Sequence, residues 1–374
     1  MSTMGSFGSF GSFGSFGSFG SFGSFSGLNA TGLGRFVGGG GAPDPTIVQG
    51  LLTNNQAIIH SAGPDDPVEK PAGVYNLLPL GADKNLQLWE PWVRASLYLT
   101  DFLKGLDWVF TPTKGKEKIN FSYGGSAFFE LHRPSIKLFH AQLAFMRDYM
   151  DQRSDRAAEI LSEMSLPFDY FASILGLNSA SNAKTFELMS IAQVVAAHVA
   201  MIAKHHLACR RPDRLGASVM PMISTPGHGS FPSAHATEAF AVATVLCGLL
   251  QDKTVKAHYP RPDRLNHLCM KLAERIAVNR TVAGVHFPVD SWAGASLGEA
   301  VGQIVLQKCG ARAGGVVSRT YIAQPQSDFS VTQFRTPEQA ARNGLERSPT
   351  EFKMEPSPIL SWLWRAAVQE FALT

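Results

Sequence analysis

The heptapeptide Phe231-Pro232-Ser233-Ala234-His235-Ala236-Thr237 decides how this 374-residue chain is read. It runs from a turn into an apolar stretch that continues to Leu250, with a hydroxyl and an imidazole at its mouth. Pro232 suits the first position of a helix, which leaves the N–H groups of Ser233 and Ala234 without intrahelical acceptors. Orphan donors at the positive end of a helix dipole bind anions. The expectation is an oxyanion pocket at a helix mouth.

Two flanking segments supply fixed positive charge. In Lys204-His205-His206-Leu207-Ala208-Cys209-Arg210-Arg211-Pro212, Lys204 and Arg211 stand two helical turns apart. That spacing puts both on one helix face about 10 Å apart along the axis, and Pro212 ends the helix. Taken alone, the segment is a helix ending in basic residues, which the dipole favours. Downstream, Gly284 permits a helix break and Pro288 starts a new helix, so His286 lies at a second mouth. Asp290, four residues on, can hold one imidazole nitrogen and leave the other bare. His235 taken alone is more often a satisfied structural imidazole than a catalytic one.

Together, Lys204…Arg211-Pro212, Pro232-Ser233-Ala234-His235 and Arg280…His286…Asp290 resemble the superfamily that unites vanadium-dependent haloperoxidases, type 2 phosphatidic acid phosphatases and class A bacterial acid phosphatases. The resemblance covers roughly residues 180–300 and suggests a soluble bacterial-type member. It implies that Lys204, Arg211 and Arg280 neutralise the equatorial oxygens of phosphate or vanadate. Ser233 would add its hydroxyl and Ala234 its N–H. His286 would bond to phosphorus or vanadium, Asp290 would orient it, and His235 would act as general acid–base. The implied cofactor is vanadate, with phosphate able to occupy the same site, and neither haem nor flavin. Fixed donors of this kind stabilise a pentacoordinate centre without reorganising. Ala234 stands where the family has glycine, and Asn279 where a serine often precedes the arginine. Arg261-Pro262-Asp263-Arg264-Leu265 nearly copies Arg211-Pro212-Asp213-Arg214-Leu215, but Thr254 replaces the lysine, so it reads as a helix start.

Two reactions fit such a pocket. A vanadate-dependent haloperoxidase would use hydrogen peroxide to oxidise halide to hypohalous acid, which halogenates a small organic acceptor. A phosphatase would attack a phosphoester with His286 and return the proton through His235. The haloperoxidase is the favoured expectation, because the chain reads as soluble and unsecreted. His228 also lies where similar haloperoxidases place an aromatic or histidine that tunes peroxide and halide chemistry. A non-catalytic oxyanion-binding scaffold is the minor alternative.

The remaining sequence sets the frame. With 45% hydrophobic and 17% charged residues and a net charge of +3, the chain can bury a large core and shows no nucleic-acid signature. Cys209, Cys247, Cys269 and Cys309 lack metal-binding spacing and read as inert thiols. Phe186–Ala203 is broken by Glu187, Gln193 and His198, and Ala236–Leu250 by Glu238, so both read as core helices rather than membrane spans. With no signal peptide, the expected location is the cytoplasm. Residues 1–44, with seven Gly-Ser-Phe copies at 5–25, read as a disordered tail. Residues 45–309 read as an all-α catalytic domain. Residues 310–374 read as a wrapping tail whose last helix, Ile359–Phe371, docks on the body or on a second subunit of a homodimer. Helices are expected around Trp92–Trp108, along Ile136, Phe139, Leu143 and Met146, and at 154–163, 167–175, 182–208, 233–251, 262–282 and 288–308. Asn120–Glu130 is a strand or a loop, and no long strand-like alternation is evident. The fold class is therefore an all-α bundle with the site at helix mouths. Asp148, Asp151 and Asp169 are the candidates to orient His235.

Overall fold

Nearly every side chain from Ala234 to Leu246 is buried, so this helix has no solvent face and must sit inside the protein. A computed structural model describes residues 49–50, 53–54, 78–311 and 314–372. The Gly-Ser-Phe repeats and the expected 1–44 tail lie outside the described residues. In chain order the elements are α1 (Pro91–Leu103), β1 (Leu106–Thr111), β2 (Lys118–Tyr123), β3 (Ser126–His132), α2 (Ile136–Asp148), α3 (Arg153–Ser162), α4 (Phe168–Leu175), α5 (Ala183–Leu207), α6 (Ala234–Gln251) and α7 (Lys253–His258). They continue as α8 (Pro262–Val282), α9 (Pro288–Lys308), β4 (Val316–Tyr321), α10 (Val331–Arg335), α11 (Pro337–Arg342), β5 (Leu345–Phe352) and α12 (Pro358–Ala372).

Helix α6 is the hub, packed against α5, α8 and α9. Its contact with α9 is backbone to backbone. A Cβ at Gly298 would lie 2.2 Å from the carbonyl oxygen of Thr237, and one at Gly294 would lie 2.5 Å from that of Ser233. Only glycine allows this approach, and it sets the mouths of α6 and α9 side by side. There the Ser233 N–H donates to the Asp290 carbonyl at 2.9 Å.

The expectation of an all-α bundle is wrong. A five-stranded mixed sheet, in the order β1-β2-β3-β4-β5, packs beside the helices. β1, β2 and β3 form an antiparallel meander, β4 joins β3 in parallel, and β5 closes the edge antiparallel to β4. The physical reason is visible in β2, where Ile119, Phe121 and Tyr123 are buried and alternate with Lys118, Asn120 and Ser122. Gly124 and Gly125 then turn the chain into β3. Trp108, expected in a helix from Trp92, instead belongs to β1, because α1 stops at Leu103.

The C-terminal segment contributes β4 and β5 to the sheet, and α12 packs against α5 and α7. Glu370 on α12 accepts from the Thr185 N–H at 2.9 Å, satisfying a donor at the start of α5.

The expectation that no segment could span a membrane, and the cytoplasmic location that rested on it, are also corrected. Ala183–Arg214, with a mean hydropathy of 1.7, and Ala234–Gln251, with 1.2, are both long and apolar enough to cross a bilayer. The polar residues that seemed to break these stretches are internally paired. Glu187 meets Arg94 at 2.6 Å and the Tyr98 hydroxyl at 2.9 Å, and Glu238 accepts from Gln193 at 2.8 Å. In the structure, 78% and 83% of the two apolar windows are buried inside the protein.

Candidate active site

Four of the residues singled out from the sequence, Arg211, His235, Arg280 and His286, line one cavity of about 360 Å³. Met164, Val285 and the loop Ile223–Gly227 complete its walls. Each polar group arrives from a different element, so the cavity exists only in the folded chain.

Arg211 does not share a helix face with Lys204, as the seven-residue spacing suggested. Helix α5 ends at Leu207, because Ala208 adopts a left-handed backbone with φ of 46°, and Arg211 is extended ahead of Pro212. The guanidinium therefore reaches the cavity from a loop. Its Nη1 donates to the Val285 carbonyl at 2.8 Å and lies 3.0 Å from Nε2 of His286. Its Nε donates to the His228 carbonyl at 3.0 Å, and its Nη2 lies 3.1 Å from His228 Nδ1. Burial, then the charges of Lys204 and Arg211, push His228 down to about 3. His228 is therefore neutral, and its Nδ1 accepts from Arg211.

His286 immediately precedes the cap of α9, and Asp290 sits in that helix's first turn. Oδ2 of Asp290 lies 3.0 Å from His286 Nδ1, accepts from the Phe287 N–H at 2.9 Å, and accepts a short bond from the Ser230 hydroxyl. Burial pushes the carboxyl up to about 6, against the opposing pull of those two donors. Burial and the neighbouring Arg211 and Lys204 charges hold His286 well below the ordinary histidine range. The neutral imidazole thus keeps its proton on Nδ1, toward Asp290, and presents a lone pair at Nε2.

Ser233 caps α6, with its hydroxyl oxygen accepting from the Ala236 N–H at 3.3 Å. Pro232 therefore precedes the cap rather than opening the helix, and the Ser233 N–H expected to be an orphan is taken by Asp290. The Ala234 N–H remains the first of α6, with no intrahelical acceptor. Lys204 is buried, and its ammonium donates to the carbonyls of Gly229 and Ser230, both at 2.8 Å. Lys204, Ser233, Ala234, His228 and Asp290 thus surround the cavity groups without lining the cavity.

Two participants escaped the sequence reading. Ser230 joins Lys204 to Asp290 through its carbonyl and hydroxyl. Glu163 pairs with Arg280 at 2.8 Å, and its backbone carbonyl accepts from His235 Nε2 at 3.0 Å. That carbonyl, not Asp148, Asp151 or Asp169, is the group holding His235. Asn279 donates to the Glu163 carboxylate at 2.9 Å.

The donor set suits an oxyanion. Arg280 is fully buried on the cavity wall, yet its Nε has no hydrogen-bond partner among the described residues. An unpaired buried guanidinium nitrogen is costly unless an acceptor satisfies it. No cluster of three or more metal-ligating side chains occurs among the described residues.

Residues 187–312, which contain all three motif segments, form a PAP2 superfamily domain. Over 111 residues the chain is 34% identical to decaprenylphosphoryl-5-phosphoribose phosphatase of Mycobacterium tuberculosis, in strain CDC 1551 / Oshkosh and equally in strain ATCC 25618 / H37Rv. The match covers 30% of this chain and 54% of the relative, so the chain spans about half the length of the curated relatives it matches. A solved structure of a transmembrane PAP2-type phosphatidylglycerolphosphate phosphatase from Bacillus subtilis is 18% identical, with a TM-score of 0.28. That likeness covers 45% of this chain and 94% of the other.

Proposed function

We propose that this protein is a phosphatase that hydrolyses a phosphoester through a phosphohistidine at His286. The observation that carries the proposal is the unprotonated Nε2 of His286, which accepts from Arg211 Nη1 at 3.0 Å in a cavity shared with Arg280 and His235. The His286 lone pair forms the N–P bond as the ester P–O bond breaks. His235, whose Nε2–H is held by the Glu163 carbonyl and whose ring burial keeps neutral, takes the proton of the phosphomonoester monoanion at Nδ1 and passes it to the departing alkoxide. A water then gives its proton to Nδ1 while its oxygen attacks phosphorus, the N–P bond breaks, and phosphate leaves. Arg211 and Arg280 stabilise the charge on the transferring group, and the positive mouth of α6 adds to that field from behind the cavity wall. Lys204 acts from behind, by fixing the Gly229–Ser230 backbone and adding positive potential.

The relatives matched in sequence are phosphatases, which favours this reaction over the haloperoxidase chemistry expected from the sequence. Those relatives are named for a phosphoribose carried on a decaprenylphosphoryl group. In this cavity the non-ionic wall is largely apolar, with Met164, Ile223, Pro226 and Val285. We therefore propose a phosphomonoester whose alcohol has an apolar face. The same donors would hold vanadate, which acts as a phosphate mimic in this reading and would supply peroxide activation in the haloperoxidase one.

The test is a paired assay on the purified full chain. Release of phosphate from a small aryl phosphate, blocked by orthovanadate and accompanied by an acid-labile phosphoenzyme, is the expected result. Peroxide-dependent bromination of a phenolic dye that needs added vanadate, with no phosphate release, would overturn the proposal.

A further inference from the structure

The residue that closes α3 touches both halves of the proposed machinery. Glu163 is fully buried, with Oε2 2.8 Å from Nη2 of Arg280 and both oxygens within 3.1 Å of the Asn279 amide nitrogen. Arg280 Nη2 also donates to the Ile160 carbonyl at 3.2 Å. On the far side, Arg156 donates to Asn279 Oδ1 at 3.0 Å, and Glu159 pairs with Arg275 at 2.8 Å near the surface. The groups facing the carboxylate are therefore Arg280 toward the cavity, and Asn279, Arg156, Glu159 and Arg275 behind it, while His235 is bonded to the backbone carbonyl alone.

We propose that Glu163 is a positioning residue that sets how much of the Arg280 charge a bound oxyanion receives, so that oxyanion binding is coupled to proton uptake at Glu163. When ionised, Glu163 offsets Arg280 and the cavity attracts anions less. Once protonated, it leaves the guanidinium uncompensated. A dianion against Arg280 and the Glu163 carboxylate would be like charges sharing one cation, an arrangement that favours protonating the weaker acid. Burial already pushes Glu163 up to about 7, against the opposing pull of Arg280 and Asn279. A bound anion therefore has only a short way to tip it. The backbone bond to His235 is untouched by this change, so the acid–base group stays in place while the electrostatics vary. The inference rests on the cavity as an oxyanion site, as the phosphatase reading does, but not on turnover.

The probe is inorganic sulfate, which stays dianionic across neutral pH, titrated calorimetrically into the full chain between about pH 6.5 and 8.5 in buffers of different ionisation enthalpy. Wild-type affinity should fall about five- to tenfold with rising pH, with buffer-dependent heats that report proton uptake. Glu163→Gln should bind tightly at every pH, with no proton uptake. A pH dependence in Glu163→Gln equal to wild type, or loss of binding at every pH as a merely structural carboxylate predicts, would overturn the proposal. Should Glu163→Gln fail to fold, Asn279→Ala removes one donor to the ionised carboxylate and must move the wild-type transition to higher pH. An unmoved transition would also overturn it. Sulfate binding of the expected form without phosphatase activity would sink the functional reading and leave this one standing. Hydrolysis with pH-independent sulfate binding would do the reverse.

Discussion

Oδ2 of Asp290 lies 3.0 Å from Nδ1 of His286, and that single contact decides which imidazole nitrogen is the nucleophile. The carboxylate oxygen can only accept, so the proton stays on Nδ1 and the lone pair is at Nε2. His286→Ala should abolish phosphate release while leaving the far-ultraviolet circular dichroism unchanged. Asp290→Asn offers a donor where an acceptor is needed and favours the wrong tautomer. By analogy with the same swap in serine-protease triads, kcat should fall roughly 10³- to 10⁴-fold with KM little changed. A near-native kcat in that variant would refute the tautomer argument.

His235 is assigned to proton transfer, not to holding phosphate, because its Nε2 is committed to the Glu163 carbonyl at 3.0 Å. His235→Ala should therefore slow esters of alkyl alcohols about 100-fold or more, in line with general-acid contributions. Esters of acidic phenols, whose anions leave unaided, should be affected far less in the first step. Orthovanadate inhibition should persist in the variant. Equal losses for both classes of ester would show that His235 does not protonate the leaving group.

The helices of the catalytic core were legible because their punctuation is local. Pro262 and Pro288 open α8 and α9, and Gly284, with φ of +86°, follows the end of α8. The end of α5 was legible to within a residue of the expected 208, but the departure of Arg211 from its face was not, since nothing in the sequence marks Ala208 for a left-handed backbone. The β2–β3 hairpin carried a signal that the reading of Asn120–Glu130 as a strand or a loop used only in part, the alternation Lys118 to Tyr123 followed by Gly124-Gly125. β5 carried almost none, because its two glutamates, Arg347 and Pro349 suit an exposed edge as well as a loop. In the site, Lys204, Arg211, His235, Arg280, His286 and Asp290 were found through spacing within short segments. Glu163 and Ser230 were missed because their partners lie 117 and 60 positions away, where no local pattern can point.

The close contact of α6 and α9 holds the two histidines in one cavity, and Gly298 is its tightest point. A side chain there would have to displace the Thr237 carbonyl, 2.2 Å from the new Cβ. Gly298→Ala should destabilise the protein by about 1–3 kcal/mol, as overpacking does, and lower kcat as the two mouths separate. Val109→Ala, at a 63% exposed position on β1, serves as the control and should shift the melting temperature by less than about 1 °C. A Gly298→Ala variant as stable and active as the control would show that the helices can part without cost.

Protonation of Glu163 should strengthen the fold near neutrality, and protonation of Asp290 at lower pH should weaken catalysis. Glu163 titrates at about 7 in the folded protein against an ordinary value of 4.5, so the native state holds this proton more tightly than the unfolded chain. Its contribution is fully present below the ordinary value and disappears as pH rises through about 7. The raised affinity is equivalent to about 3 kcal/mol in order of magnitude. Asp290, raised from 3.8 to about 6, acts in the same direction over a lower window. The melting temperature of wild type should therefore climb relative to that of Glu163→Gln as pH is lowered from about 7.5 to 5.5, while the depressed His228, His235 and His286 destabilise both alike on acidification. Activity should fall below about pH 6, because protonated Asp290 no longer fixes the His286 tautomer. Thermal melts and kcat profiles of wild type and Glu163→Gln over the same buffers check both claims. A wild-type melting temperature that declines on acidification in parallel with the variant would show that Glu163 stays ionised throughout.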